Sequence, residues 1–119
     1  KGEVLTEGSL FKEMSTDFGL VIHTTPLAVL RPVDVDDVKV AVNFANEMCI
    51  PLVVRGSQKS HSAGGQAQTN EGVLLDVSTL KSIKIVGDST KMMKIGSGAM
   101  WNEVVKCSIT IGHMPSIIN

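Results

Sequence analysis

The sequence predicts an α+β fold, built as a small parallel sheet with flanking helices and an added antiparallel hairpin. Three observations support this prediction. A strand–helix–strand unit occupies residues 27–55, a further apolar strand follows in "VLLDVSTL", and "SIKIVGDSTKMMKIGSG" is typical of a hairpin that turns at Gly87-Asp88. A helix that joins two consecutive strands places them in parallel in one sheet, so the first unit and the next strand together predict a parallel core.

The clearest helix lies in "DVDDVKVAVNFANEMCIP". Asp34 is the candidate N-cap, Asp36 and Asp37 suit the positive end of the helix dipole, and Pro51 prevents continuation. Apolar residues recur at three- and four-residue spacing, which predicts one buried stripe. The stripe consists of Val38, Ala41, Val42, Ala45 and Met48.

The other elements are shorter. "SLFKEMSTDFG" predicts a helix that ends at Gly19, "PLAVLRP" a strand closed by Pro32, and "PLVVRG" a buried strand. The last helix lies in "AMWNEVVKCSITIG", where Gly112 suits a left-handed cap and Trp101 is expected in the core.

Composition bounds the class of protein. The chain has 119 residues, is 43% hydrophobic and 19% charged, and therefore forms one globular domain at most. A net charge of -1 and only four aromatic residues (one Trp, three Phe) argue against nucleic-acid binding. No run is long enough to cross a membrane, no signal peptide is visible, and Cys49 and Cys107 are expected to be buried free thiols. The first residue, Lys1, and the final "PSIIN" suggest a piece of a longer protein.

A loop rich in glycine and serine follows the "PLVVRG" strand and runs from Gly56 to Gly72. Loops at the carboxyl ends of parallel strands bind ligands in open α/β sheets, and glycine lets backbone N–H groups surround an anion. The loop is therefore a candidate phosphate cradle. The same composition is also typical of a solvent-exposed connection. "GSQKS" matches neither a Walker loop nor a dinucleotide fingerprint, because the required glycine spacing is absent.

Several ordered motifs resemble the FAD-linked oxidases of the vanillyl-alcohol oxidase and p-cresol methylhydroxylase (PCMH-type) family. Arg55-Gly56 and "HSAGGQ" at residues 61–66 resemble that family's Arg-Gly-x-Gly-His-Ser-x-x-Gly-Gln pattern, and "KIGSGAMWNEVV" resembles its G-x-G-x-x-W segment. The resemblance spans about residues 25–119, which implies the N-terminal part of a PCMH-type FAD-binding domain after a helical lead-in at residues 1–24. "DFG", "GGQAQ" and "G-x-x-P" resemble the cytokinin dehydrogenases in particular.

The resemblance implies an FAD-dependent oxidase or dehydrogenase that takes a hydride from a small-molecule substrate, such as the amine of a cytokinin, with this chain alone inactive. This sequence has two extra residues between Arg-Gly and His-Ser. With the insertion upstream, His61 takes the position that bonds covalently to the flavin; with it downstream, Lys59 falls there. The remaining implied FAD contacts are Gly56, Ser57, Gln58, Lys59, Ser60, Ser62 and Gln66. A non-covalent flavin reductase and a non-catalytic interaction module remain alternatives.

Overall fold

The computed structural model describes residues 1–56, 69–87 and 92–115. Nine elements follow one another in these ranges: β1 (Glu3–Leu5), α1 (Ser9–Met14), β2 (Ala28–Arg31), α2 (Val35–Glu47), β3 (Leu52–Arg55), β4 (Val73–Asp76), β5 (Ile83–Val86), β6 (Met92–Ile95) and α3 (Trp101–Thr110).

The main sheet has the strand order β1-β2-β4-β3. β4 pairs in parallel with β2 on one side and β3 on the other, while β1 pairs antiparallel with β2. All four residues of β4 are buried, as expected for a central strand covered on both faces. This confirms the predicted parallel core. β3 lies at the edge of the described sheet, and its Val54 is 53% exposed, so the prediction of a buried strand is only partly correct.

Each face of the sheet carries one helix. Leu74 packs with Met14 and Val29 on the face covered by α1. The next residue, Leu75, packs with Ala41 and Val77 on the face covered by α2. Since side chains alternate across a strand, α1 and α2 lie on opposite faces and form the outer layers.

The boundaries of α2 follow the predicted signals. The Asp34 side chain accepts a hydrogen bond of 2.9 Å from the Asp37 backbone N–H, which is the N-cap arrangement. Ala41 and Ala45 are buried and Val38 is partly buried, as the stripe predicts. Two other members of the stripe are exposed, Val42 by 39% and Met48 by 58%, so the buried face is narrower than predicted.

The hairpin is confirmed by the antiparallel pairing of β5 with β6. It forms a second, two-stranded sheet, and α3 contacts it where the Ser108 hydroxyl donates to the Met93 sulfur at 3.4 Å. Gly112 has a φ of 72° directly after α3, and the His113 N–H bonds back to the Ser108 carbonyl at 3.0 Å. These features confirm the predicted left-handed cap.

Three local predictions are wrong, and one strand was missed. α1 ends at Met14 rather than Gly19, because the Asp17 carboxylate draws the following backbone into a turn by accepting from the Val21 and Ile22 N–H groups. Trp101 is 56% exposed although it shares a helix face with buried Val104 and Ser108, because it is the first residue of α3 and lies at the end of that face. Cys49 is an exposed thiol and Cys107 a partly buried one; both are free, but neither is in the core. β1 was not predicted at all.

Candidate functional site

The carboxyl ends of β3 and β4 lie side by side. Arg55, the last residue of β3, is in register with Asp76, the last residue of β4. The Val77 N–H continues the ladder with a 2.9 Å bond to the Arg55 carbonyl. Gly56 therefore leaves the sheet from a point that its neighbouring strand holds firmly.

A third segment meets these strand ends: the turn at residues 96–99, which joins β6 to α3. The Gly98 N–H donates to the Leu80 carbonyl at 3.0 Å, and a Cβ at Gly98 would lie 2.2 Å from the Val77 carbonyl oxygen. Only glycine allows this approach. The turn also reaches Gly56, whose Cβ position would be 3.9 Å from the Ser97 carbonyl oxygen.

Four charged residues cross the sheet at its carboxyl edge, on the face that α1 covers. We call Glu3, Arg31, Asp76 and Arg55 the charged row; they belong to β1, β2, β4 and β3 in that spatial order. Arg31 donates to Asp76 at 3.0 Å and to Glu3 at 2.9 Å. The signs alternate along the row, so its net charge is zero.

Burial increases along the charged row. The Glu3 side chain is 55% exposed and that of Asp76 is completely buried. Burial alone would lower the pKa of Arg31, but its hydrogen bonds to Asp76 and Glu3 raise that pKa overall. Asp76 also accepts from the Ser78 N–H at 3.0 Å, so its carboxylate has partners on both sides.

Arg55 is the most unusual member of the charged row, because the whole residue is only 2% exposed. Its Nη1 donates to the Met14 carbonyl at 2.8 Å and to the Thr16 carbonyl at 3.0 Å, at the end of α1. Its Nε is buried and has no hydrogen-bond partner among the described residues. Burial lowers the pKa of the Arg55 guanidinium, and attraction to Asp76 opposes that shift.

The N-terminus of α3 begins directly after the turn at residues 96–99. There the Glu103 carboxylate accepts a 2.8 Å hydrogen bond from the Met100 N–H. A carboxylate thus already neutralises this helix end, which makes it a poor place for a second anion.

The chemistry around Gly56 suits an anionic group. Asp76, which is in register with Arg55, is buried and ion-paired with Arg31, and the cation Arg55 is the residue next to Gly56. Among the described residues, a diphosphate at these strand ends would therefore meet the backbone of Gly56 beside a carboxylate whose charge is already paired.

Of the predicted contact residues, the structure places Gly56 at this edge. The others lie outside the described residues: Ser57, Gln58, Lys59, Ser60, His61, Ser62 and Gln66. Sequence reasoning missed the charged row and the approach of Gly98. The "GSG" at residues 96–98 was the available signal for the second of these.

A groove lies elsewhere among the described residues, between α2 and the β1–β2 side of the sheet. Its volume is about 460 Å³, and Val4, Leu30, Val40, Phe44 and Leu75 contribute to its lining. Because this lining is mostly apolar, the groove does not suit a diphosphate, and we assign the site to the strand ends instead.

Residues 1–56, 69–87 and 92–115 contain neither a membrane-spanning helix nor a metal-binding cluster. No helix there has the length and apolar character needed to cross a membrane. Nor do three or more His, Cys, Asp or Glu side chains in those ranges come together as a metal site.

Comparison with known proteins gives a consistent result. Residues 26–116 match the family model described as FAD binding domain. An uncharacterized oxidoreductase of the fasciation locus in Rhodococcoides fascians is 34% identical over 86% of this chain, and cytokinin dehydrogenase 3 of Arabidopsis thaliana is 28% identical over 96%. The chain spans 22% of the length of each of these relatives.

Solved structures agree in fold. The chain superposes on 6-hydroxy-D-nicotine oxidase from Arthrobacter nicotinovorans with a TM-score of 0.80 and 25% identity, over 94% of this chain and 24% of that one. A chitooligosaccharide oxidase gives a TM-score of 0.78 at 22% identity, over 93% of this chain and 24% of that one. The second likeness concerns the fold alone.

Proposed function

Because this chain belongs to the FAD binding domain family, we propose that it forms the cofactor-binding part of an FAD-dependent oxidoreductase. In this proposal, residues 25–119 are the N-terminal part of the FAD-binding domain and residues 1–24 lead into it. The observation that carries the proposal is the meeting of three chain segments at Gly56: the ends of β3 and β4, and the turn at residues 96–99. This is the edge of an open parallel sheet where cofactors bind.

The chain's own residues bind and orient the cofactor. Gly56, Ser57, Gln58, Lys59, Ser60 and Ser62 contact the diphosphate in this proposal, and Gln66 lies toward the flavin ring. Backbone N–H groups and hydroxyls each contribute about 1 kcal/mol per neutral hydrogen bond, and charge-assisted bonds contribute more. The bound FAD supplies the two-electron acceptor for oxidation of the substrate.

His61 is the proposed point of covalent attachment to the flavin. The support is the unbroken match of residues 61–66 to the family pattern, which places the two-residue insertion before His61. In the other register Lys59 would occupy that position.

The attachment is tested on the full-length protein by acid denaturation. We expect the yellow colour to stay with the wild-type polypeptide and to be released from His61→Ala. Lys59→Ala is the matched control and should retain the colour. Release of all flavin from the wild type would refute covalent attachment and favour a non-covalent flavin enzyme, while loss of colour only in Lys59→Ala would favour the other register.

The proposed substrate is an amine such as a cytokinin, and the support is the set of cytokinin dehydrogenases among the relatives, which are 25–32% identical to this chain. The test is anaerobic mixing of the full-length holoenzyme with a cytokinin, followed by the visible absorbance of the flavin. Rapid bleaching by a cytokinin and none by chitooligosaccharides is the expected result. The opposite preference would refute this substrate class.

A further inference from the structure

We infer that Arg55 is a positioning residue that fixes the point from which the cofactor-binding loop leaves the sheet. The inference rests on the proposed function and concerns how the fold holds the start of that loop. Arg55 itself is not assigned a contact with FAD.

Hydrogen bonds fix both the backbone and the side chain of Arg55. Its backbone carbonyl accepts from the Val77 N–H at 2.9 Å, which ties it to β4. Its guanidinium bonds to two carbonyls at the end of α1, those of Met14 and Thr16. The residue before Gly56 is therefore fixed to the neighbouring strand through its backbone and to the α1 layer through its side chain.

Stability alone is a weak reason for a cation at this place. A buried charge loses its hydration, and a buried ion pair often contributes no more to stability than well-packed apolar residues of the same volume. Arg55 is 2% exposed, and its Nε finds no hydrogen-bond partner among the described residues. The guanidinium differs from an apolar side chain because its planar Nη1 group directs hydrogen bonds toward two carbonyl oxygens, those of Met14 and Thr16.

The charged row offers a matched control for this inference. Arg31 and Arg55 flank the same carboxylate, Asp76, and each makes two polar contacts. Arg31 lies on β2, one strand farther from Gly56, and its contacts go to Glu3 and Asp76. Arg31 is the hydrogen-bonded partner of Asp76, whereas Arg55 only attracts Asp76 electrostatically. Removing Arg31 therefore disturbs Asp76 at least as much as removing Arg55 does, but only Arg55 holds the strand end next to the loop.

The experiment uses full-length protein carrying His61→Ala, so that FAD binds reversibly and its dissociation constant can be measured by flavin fluorescence. In this background we compare Arg55→Met with Arg31→Met and record the visible circular dichroism of the bound flavin. Arg55→Met should weaken FAD binding by at least about tenfold and change the flavin spectrum, because misplaced binding groups lose one to two orders of magnitude. Arg31→Met should weaken binding by less than about threefold, because its contacts do not hold the strand end next to the loop.

Thermal unfolding of the apoproteins shows whether the two variants are destabilised to a similar degree. Equal loss of FAD affinity in both variants, or wild-type affinity and spectrum in Arg55→Met, would overturn the inference. If Arg55→Met does not fold, Arg55→Lys and Arg31→Lys replace the pair. Lysine keeps the positive charge but lacks the planar guanidinium group. Equal FAD affinities of the two lysine variants would again overturn the inference. Failure of the His61→Ala parent to bind FAD at all would instead count against the proposed function.

Discussion

Gly98 provides a sharp test of how the site is built. In Gly98→Ala the new methyl group would lie 2.2 Å from the Val77 carbonyl oxygen and 2.7 Å from the Ser78 carbonyl carbon. The first contact must open to at least 3.0 Å, and both atoms belong to backbone. The turn at residues 96–99 therefore has to move away from the end of β4.

The cost follows from two terms. Overpacking at a tight backbone contact costs about 1–3 kcal/mol. The movement also weakens the 3.0 Å bond from the Gly98 N–H to the Leu80 carbonyl, which is worth about 1 kcal/mol. We expect Gly98→Ala to lower the free energy of unfolding by about 2–4 kcal/mol.

Gly56→Ala is the matched control, because among the described residues its methyl group would meet the Ser97 carbonyl oxygen alone, at an ordinary 3.9 Å. This variant should change the free energy of unfolding by less than about 0.5 kcal/mol. Urea denaturation of the chain, followed by far-ultraviolet circular dichroism, measures both values. Equal midpoints for the two variants would refute the close approach of the turn to β4.

Two further predictions concern local stability. Cys49 has a φ of 52° just after α2, where the Ile50 N–H bonds back to the Ala45 carbonyl. Cys49→Gly should therefore stabilise the chain by about 1 kcal/mol, while Cys49→Ala should not. Equal urea midpoints for the two variants would contradict this prediction. The pKa of Asp17 is lowered mainly by the hydrogen bond from the Ile22 N–H. Its contribution to stability is therefore present above about pH 4 and is lost as the pH falls through the depressed folded-state pKa, because the unfolded state binds the proton first. Asp17→Asn should have a lower melting temperature near neutral pH and a flatter decline below about pH 4, and parallel melting curves for the two proteins would argue against it.

The elements that the sequence predicted well carry their signals locally. The limits of α2 are visible in Asp34 and Pro51, and the cap of α3 in Gly112, because capping and chain termination depend on a few neighbouring residues. The parallel direction of β2, β3 and β4 followed from an apolar strand after a strand–helix–strand unit, whereas the position of β4 between β2 and β3 was not predicted.

The errors share a cause, which is that burial and pairing depend on distant residues. β1 has three residues and forms only because β2 offers a free edge. Trp101 shares its helix face with buried Val104 and Ser108 and is still exposed, because it begins α3 and burial at a helix end depends on which distant segments reach it. A periodic pattern names the apolar face and leaves open how much of it is covered.

The candidate site likewise combines features that the sequence shows locally with features that only the fold creates. The order of the motifs from Arg55-Gly56 to the "GSG" at residues 96–98 was enough to indicate the FAD binding domain family, because a motif is a property of neighbouring residues. The charged row was not visible in the sequence, since its members come from four separate strands and become neighbours only through strand pairing. The contact of Gly98 with the end of β4 likewise joins residues that are 21 positions apart at Val77 and Gly98, and only the folded backbone brings them together. Local sequence motifs thus determined the family to which this chain belongs, and long-range pairing decided which segments meet at Gly56.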